Sequence, residues 1–392
     1  MRNALLIAYL LYAFMASGQV DLIRSLEGNK SDKATEGFQF QPLVDLEALG
    51  IENQGASGTC WSYCSSSFLE SEMIREGKEP VDLSEMYTVR KVYEEKAVNY
   101  VQMHGAYSFG EGGALPDVVH VLGKYGAVPE EVYQGLEYGS DINRHGEMEA
   151  VLKGMIDAIV SNPNKQLTTV WKEAISRVLD VYLGENPAEF DYLGKKYTPE
   201  TFASQVIGLE ASDYVQISSF TNHEMYKPFI MMVPDNWAYG TTYNVQLDDL
   251  TLIIDEALEK GYSVAWATDV SEKYFSWKNG IAYVPEKEYT ELSDEERATL
   301  FKGPKPDREI TPEARQAAYE NYTTTDDHGM HITGLVKDQT GKEWYKVKNS
   351  WGPNNDYQGY VYVSKNYVRF KSIAILLHKD GVPRDIRKKL DI

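Results

Sequence analysis

The sequence predicts an α+β protein of two lobes, one helical and one rich in strands, with an extra helical block between them. Three observations carry this. Downstream of Cys60, the residues Trp61, Cys64, Phe68, Leu69 and Met73 recur at helical spacing, with Gly77 where a C-terminal cap is expected. After about Gln216 the chain turns to short β-branched and aromatic runs separated by turns such as Lys278-Asn279-Gly280. Finally, 392 residues with 43% hydrophobic and 25% charged side chains can bury a substantial core.

Residues 1–18 differ from the rest. Arg2 precedes an apolar run over residues 4–15, followed by the small residues Ala16-Ser17-Gly18. This is the pattern of a cleaved signal peptide, and it is shorter than the roughly 20 apolar residues of a membrane span. The expectation is an exported protein, periplasmic or secreted, whose mature chain starts near Gln19 and is not inserted in a membrane. A buried N-terminal helix is the competing reading. Residues 19–42 are polar and read as an irregular arm.

Residues 43–145 read as the helical lobe, with Asp82 or Ser84 placed to cap a helix. Residues 146–215 alternate apolar and charged positions at helical spacing, broken at Asn162-Pro163-Asn164, and read as a helical insertion. Residues 216–375 form the strand-rich lobe, with runs at 264–267, 281–284, 331–336, 343–347 and 360–363 and a hairpin turn across 338–342. Residues 376–392 are a basic tail.

The formal charge of −20 repels phosphate backbones, so nucleic-acid binding is not expected. The two cysteines, Cys60 and Cys64, lie four apart on one helix, where the sulfurs do not readily reach bonding distance. A glycine-punctuated loop, Gln54-Gly55-Ala56-Ser57-Gly58-Thr59, delivers Cys60 to the first helical turn. There the helix dipole and free N–H groups favour the thiolate, the nucleophilic form. Cys64 reads as a small core residue. Asp327-His328-Gly329-Met330 and Asn349-Ser350-Trp351-Gly352 follow in the strand-rich lobe, with His328 entering one strand and Asn349 leaving the next.

A Gln, a Cys, a distant His and a later Asn in that order resemble the papain-like cysteine peptidases, on the motifs Gln54-x5-Cys60-Trp61 and Asn349-Ser350-Trp351-Gly352. The segment Gly112-Gly113 to Pro129, Gly261-Tyr262-Ser263-Val264 and His328-Gly329-Met330 narrow the resemblance to the bleomycin hydrolase and aminopeptidase C branch. It spans roughly residues 40–375. The resemblance implies a papain-like fold with an antiparallel barrel-like strand lobe. It also implies a Cys60-His328-Asn349 triad, a Gln54 oxyanion donor and Trp351 shielding the triad. Gly112 and Gly113 would line the substrate cleft, where glycine lets a backbone lie close to an extended peptide. No cofactor is implied, peptide substrates are, and a homo-oligomer, with a hexamer as its candidate form, is carried by the resemblance alone.

In that branch the C-terminal arm enters the cleft and restricts cleavage to the N-terminus of a substrate, so the Ile392 carboxylate could hold a substrate ammonium. The tail here does not match the branch, and a solvated tail is the alternative. An aminopeptidase acting on short peptides is therefore expected, with three alternatives: an open-cleft endopeptidase, an acyltransferase or amidase on the same triad, or a catalytically silent binding module. His328-x-x-His331 beside Asp326 and Asp327 imitates a metal site, but residues three apart in a strand face opposite sides, and no metal is expected.

Overall fold

The computed structural model describes residues 37–392. The expected signal peptide and most of the arm lie outside the described residues. Where the arm enters the structure it is not irregular. Phe40–Asp45 forms strand β1, because Phe40 stacks on Tyr362 at 3.9 Å between ring centroids and packs edge-on against Trp344.

The helical lobe contains α1 (Cys60–Arg75), α2 (Glu85–Gln102) and α3 (Pro116–Tyr125). Ser84 caps α2, its Oγ accepting from the Tyr87 N–H. Helices α4 (Gly146–Val160) and α5 (Val170–Leu183) follow on either side of the Asn162-Pro163-Asn164 break. Their inner stripe, Met148, Leu152, Ile156, Ile175, Leu179 and Leu183, joins the core of the helical lobe, so the block thickens this lobe. Its end was not legible as strand, yet β2 (Phe190–Tyr192) and β3 (Lys195–Tyr197) make a hairpin before the one-turn helix α6 (Pro199–Phe202). The hairpin survives at this length because Phe190, Tyr192 and Tyr197 all pack on Phe202.

The strand-rich lobe begins two residues early, with β4 (Tyr214–Ser218), β5 (Pro228–Ile230) and β6 (Thr241–Asn244). Helix α7 (Leu247–Glu259) interrupts it. Its Leu247, Leu250, Ile253, Ile254, Ala257 and Leu258 stripe has helical period, so a helix stands within the region expected to be strand-rich. Strands β7 (Val264–Thr268), β8 (Phe275–Ser276) and β9 (Ile281–Ala282) and helices α8 (Asp294–Ala298) and α9 (Pro312–Glu320) precede the central strand β10 (His328–Asp338). Then come β11 (Glu343–Lys348), β12 (Tyr360–Ser364), α10 (Lys365–Lys371), β13 (Ser372–His378) and α11 (Arg384–Leu390).

Among the described residues one sheet runs β5-β6-β4-β13-β7-β10-β11-β12-β9-β8, with β1 added to β10. It is mainly antiparallel; β4–β6 and β12–β9 pair in parallel. β10 meets β7 over its first five residues and β1 over its last five, with β11 along its other edge. Gly334 permits the β1 crossing, since a Cβ there would sit 2.6 Å from the Val44 carbonyl oxygen.

Helix α1 lies between the lobes, packed on β10 and β7 on one side and on α2 and α3 on the other. Its first fourteen residues are all buried. Three of its polar side chains bond to backbone of other segments: Ser62 donates to Glu85 O, Ser71 donates to Glu47 O, and Glu70 accepts the Leu83 N–H.

The tail is neither solvated nor in a cleft. Residues 376–378 complete β13, and α11 turns Ile386 and Leu390 into the core of the strand lobe, beside Val382. An i, i+4 apolar pair among basic residues is an amphipathic helix turn, and burial of that pair outweighs solvation of the segment.

Candidate active site

Cys60 and His328 come from different lobes. Cys60 opens α1 behind Thr59, and His328 opens β10. They are brought together because β10 crosses the start of α1 at close range. A Cβ on Gly329 would lie 3.3 Å from Trp61 Cα and 3.4 Å from the Cys60 carbonyl oxygen. Both residues are buried, and both line one cavity between the lobes.

Asn349 leaves β11 beside His328, with Oδ1 2.7 Å from His328 Nε2. The same Oδ1 accepts the Ser350 backbone N–H at 2.8 Å. A backbone N–H can only donate, so this bond fixes which end of the amide is oxygen, and His328 must carry its proton on Nε2. Nδ1 is left unprotonated and has no hydrogen-bond partner among the described residues. Trp351 covers the pair, its ring 4.5 Å from the imidazole, backed by Trp277 and Phe275. Burial pushes His328 down to about 4, against the raising effect of the Asn349 bond. Alone, the imidazole is therefore neutral at pH 7, and it becomes cationic only with a neighbouring anion.

Gln54 is wholly buried and held from two sides. Its Oε1 accepts from Ser350 Oγ at 2.7 Å and its Nε2 donates to Ser57 O at 2.7 Å, while its backbone N–H reaches Ser350 O. Ser350 thus orients both Asn349 and Gln54. Ser350 stands in the Asn349-Ser350-Trp351 motif, but its residue type alone does not signal this role.

Gly113 lies on the cavity wall, and its backbone N–H and C=O make no hydrogen bond among the described residues. Gly112 is turned differently: its carbonyl accepts from Lys96 Nζ, and its Cα faces the Asp235 carboxylate. The glycine loop is clamped by the Trp61 indole donating to Glu111 O at 3.0 Å, by Lys96, and by Glu111 Oε2, which accepts the Gly58 N–H. Lys96 and Glu111 carried no motif signal; only their contacts mark them.

Cys64 is buried, and its thiol donates to Met330 O at 2.9 Å, while burial pushes its pKa far up. It stays protonated. His331 points away from the cavity into a polar chamber, its Nδ1 3.0 Å from Ser67 Oγ, which in turn accepts from Lys348 Nζ at 2.8 Å. His328 and His331 share no ligand site.

A model of the Peptidase C1-like family matches residues 11–392. The chain is 25% identical to aminopeptidase C of Streptococcus thermophilus, across 92% of this chain and 86% of that protein. It is 22% identical to aminopeptidase G of Lactobacillus delbrueckii subsp. lactis, across 88% and 85%. It is 21% identical to mitochondrial cysteine proteinase 1 of Saccharomyces cerevisiae, across 89% and 79%. Among solved structures, PepW from Lactobacillus rhamnosis HN001 superposes with a TM-score of 0.70 over 90% of this chain and 84% of that one, at 19% identity.

Proposed function

Since the chain belongs to the Peptidase C1-like family and is a cysteine peptidase, we propose that it works as an aminopeptidase on short peptides, with Cys60 as nucleophile. The observation that carries this is the bare, buried Nδ1 of His328 on the same cavity wall as Cys60, with Asn349 fixing the opposite nitrogen. Aminopeptidase action draws on the relatives that carry this name.

In this reading His328 Nδ1 takes the Cys60 proton, and the thiolate is the anion that sustains the imidazolium. Sulfur attacks the peptide carbonyl carbon, forming the S–C bond while the C=O electron pair moves to oxygen. The second N–H of Gln54 Nε2 and the Cys60 backbone N–H receive that oxyanion. Collapse expels the amine, which takes the proton from His328. Water, deprotonated by His328, then cleaves the thioester and restores the thiol. Gly113 pairs with the extended substrate through its free backbone groups. Trp351 keeps water from the His328–Asn349 bond and lowers the local dielectric.

Export belongs to the same proposal and rests on Arg2, the apolar run at 4–15 and Ala16-Ser17-Gly18. Assembly into a homo-oligomer rests on the family likeness.

The test is hydrolysis of one fluorogenic aminoacyl amide with a free and with an acetylated N-terminus, under reducing conditions, beside Cys60→Ala. Cys60-dependent cleavage of the free form alone supports the aminopeptidase. Equal cleavage of both forms means an endopeptidase, and no Cys60-dependent cleavage of either overturns the reading.

A further inference from the structure

An aminopeptidase needs an anion beside its nucleophile to hold the substrate's ammonium, and the tail does not supply it. No residue after Ala374 lines the cavity at Cys60, and α11 is committed to the core of the strand lobe.

Three carboxylates line that cavity: Asp327, which accepts from the Val270 N–H and Ser271 Oγ, and two others, Asp235 and Asp326. Asp326 stands two residues before His328. Asp235 comes from the loop between β5 and β6, which is built to stay in place. Asn236 bonds Met231 O and Gly240 O from its Nδ2 and accepts the Gly240 N–H, closing the loop on itself. Trp237 then bolts the loop to the helical lobe, its indole N–H donating to Asp117 Oδ2 at 2.6 Å.

Among the described residues, neither carboxylate is in a hydrogen bond or a close ion pair. Lys96 acts on Asp235, but its ammonium bonds the carbonyls of Gly110 and Gly112. Both groups are pushed above the ordinary aspartate range by burial, and Asp326 further by Asp235 and Asp327. Two unpartnered acids facing one cavity are disfavoured unless a cation enters it. The buried Nδ1 of His328, without a hydrogen-bond partner among the described residues, belongs to a residue lining the same cavity.

We propose that Asp235 and Asp326 bind a positively charged nitrogen of the substrate next to the bond that Cys60 attacks. This rests on the cysteine-peptidase reading of the site. The α-ammonium of a substrate's first residue lies within one residue's span, ~3.8 Å, of the attacked carbonyl, and so inside this cavity. A basic side chain on the preceding residue of a longer peptide would present the same charge. No group of three or more His, Cys, Asp or Glu able to hold a metal ion is found among the described residues, so a nitrogen cation is the fitting occupant.

The test compares kcat/KM for three fluorogenic amides: leucyl with a free N-terminus, acetyl-leucyl, and acetyl-lysyl-leucyl. They are assayed with the wild-type chain, Asp235→Asn, Asp326→Asn and the exposed-site control Asp294→Asn. The wild type is expected to prefer the free leucyl amide over the acetyl-leucyl amide, and each cleft variant to reduce that ratio by about tenfold or more, with KM carrying most of the change. Melting temperatures should hold or rise, since each substitution relieves repulsion. A variant-sensitive preference for the lysyl substrate instead assigns the pair to a basic side chain. Ratios that stay at the wild-type value in both cleft variants overturn the proposal while leaving the peptidase intact. Hydrolysis that persists in Cys60→Ala would instead overturn the underlying reading.

Discussion

His328 and Asn349 are joined by one hydrogen bond, 2.7 Å from Nε2 to Oδ1, inside a site that Trp351 closes from the side. Because the Ser350 N–H fixes the same Oδ1, the bond also sets the tautomer of His328. Asn349→Ala should therefore cost kcat about 10²-fold through loss of ring orientation, with KM little changed. Steady-state kinetics on the free-amine substrate checks this; a change confined to KM would remove Asn349 from the triad.

The two thiols should behave oppositely. Cys60→Ala should abolish hydrolysis with the fold retained by circular dichroism. Cys64→Ala should keep most activity and lose about 1 kcal/mol, the worth of the thiol bond to Met330 O and some packing. Iodoacetamide near pH 7 should label one cysteine per chain, since burial keeps Cys64 protonated. Labelling of both, or equal loss in both variants, would reverse the assignment.

Gly113 has no room for a side chain: a Cβ would lie 2.6 Å from Trp61 Cε2 and 2.8 Å from Asp117 Oδ2. Gly113→Ala should displace the indole of Trp61, the residue that follows Cys60, costing about 1–3 kcal/mol of stability together with most activity. Gly50→Ala meets nothing within 4 Å and should leave both unchanged. Thermal melts and the amide assay on the pair decide it.

Removing residues 384–392 separates two roles for the tail. As a core helix, it should cost several kcal/mol, because Ile386 and Leu390 are both buried. The free-to-acetylated preference of the surviving activity should stay that of the full chain. New cleavage of acetylated substrate on truncation would place the tail in the cleft after all.

Much of this arrangement is readable in the chain because it is local or motif-borne. Cys60 at a helix start, His328 at the head of a strand and Asn349 at the end of the next need only helical period and a hairpin. What escaped depends on long-range placement. The tail reads as basic and polar until β13 directs Ile386 and Leu390 onto a core built by other segments. Asp235 sits in an ordinary Pro-Asp-Asn turn, and only the Trp237–Asp117 bond carries it over the cleft. Asp326 stood in plain view as a false metal ligand, and its meaning changes once Asp235 faces it across the cavity.

Stability should fall as pH rises from about 5 to about 8. Burial raises Glu70 from 4.5 to about 7 and, with Asp82 adding, Glu130 to about 8; burial and Glu130 raise Glu85 strongly too. A raised carboxyl holds more protons folded than unfolded, so its contribution is fully present below 4.5 and is lost as pH climbs through the folded value. His145 and His328, both lowered to about 4 by burial, act the other way: the unfolded chain takes up protons first as pH drops below 6.5. Their effect falls between about 4 and 6.5 and offsets part of the carboxyl loss there, so Tm should fall gently up to about pH 6.5 and more steeply from there to about 8. Glu70→Gln keeps the acceptor for the Leu83 N–H and removes the titration. It should gain about 1–3 kcal/mol near pH 8 and nothing near pH 4.5. Scanning calorimetry of the two chains at both pH values checks the sign, and equal shifts at both would show that ionisation of Glu70 has no part in the slope.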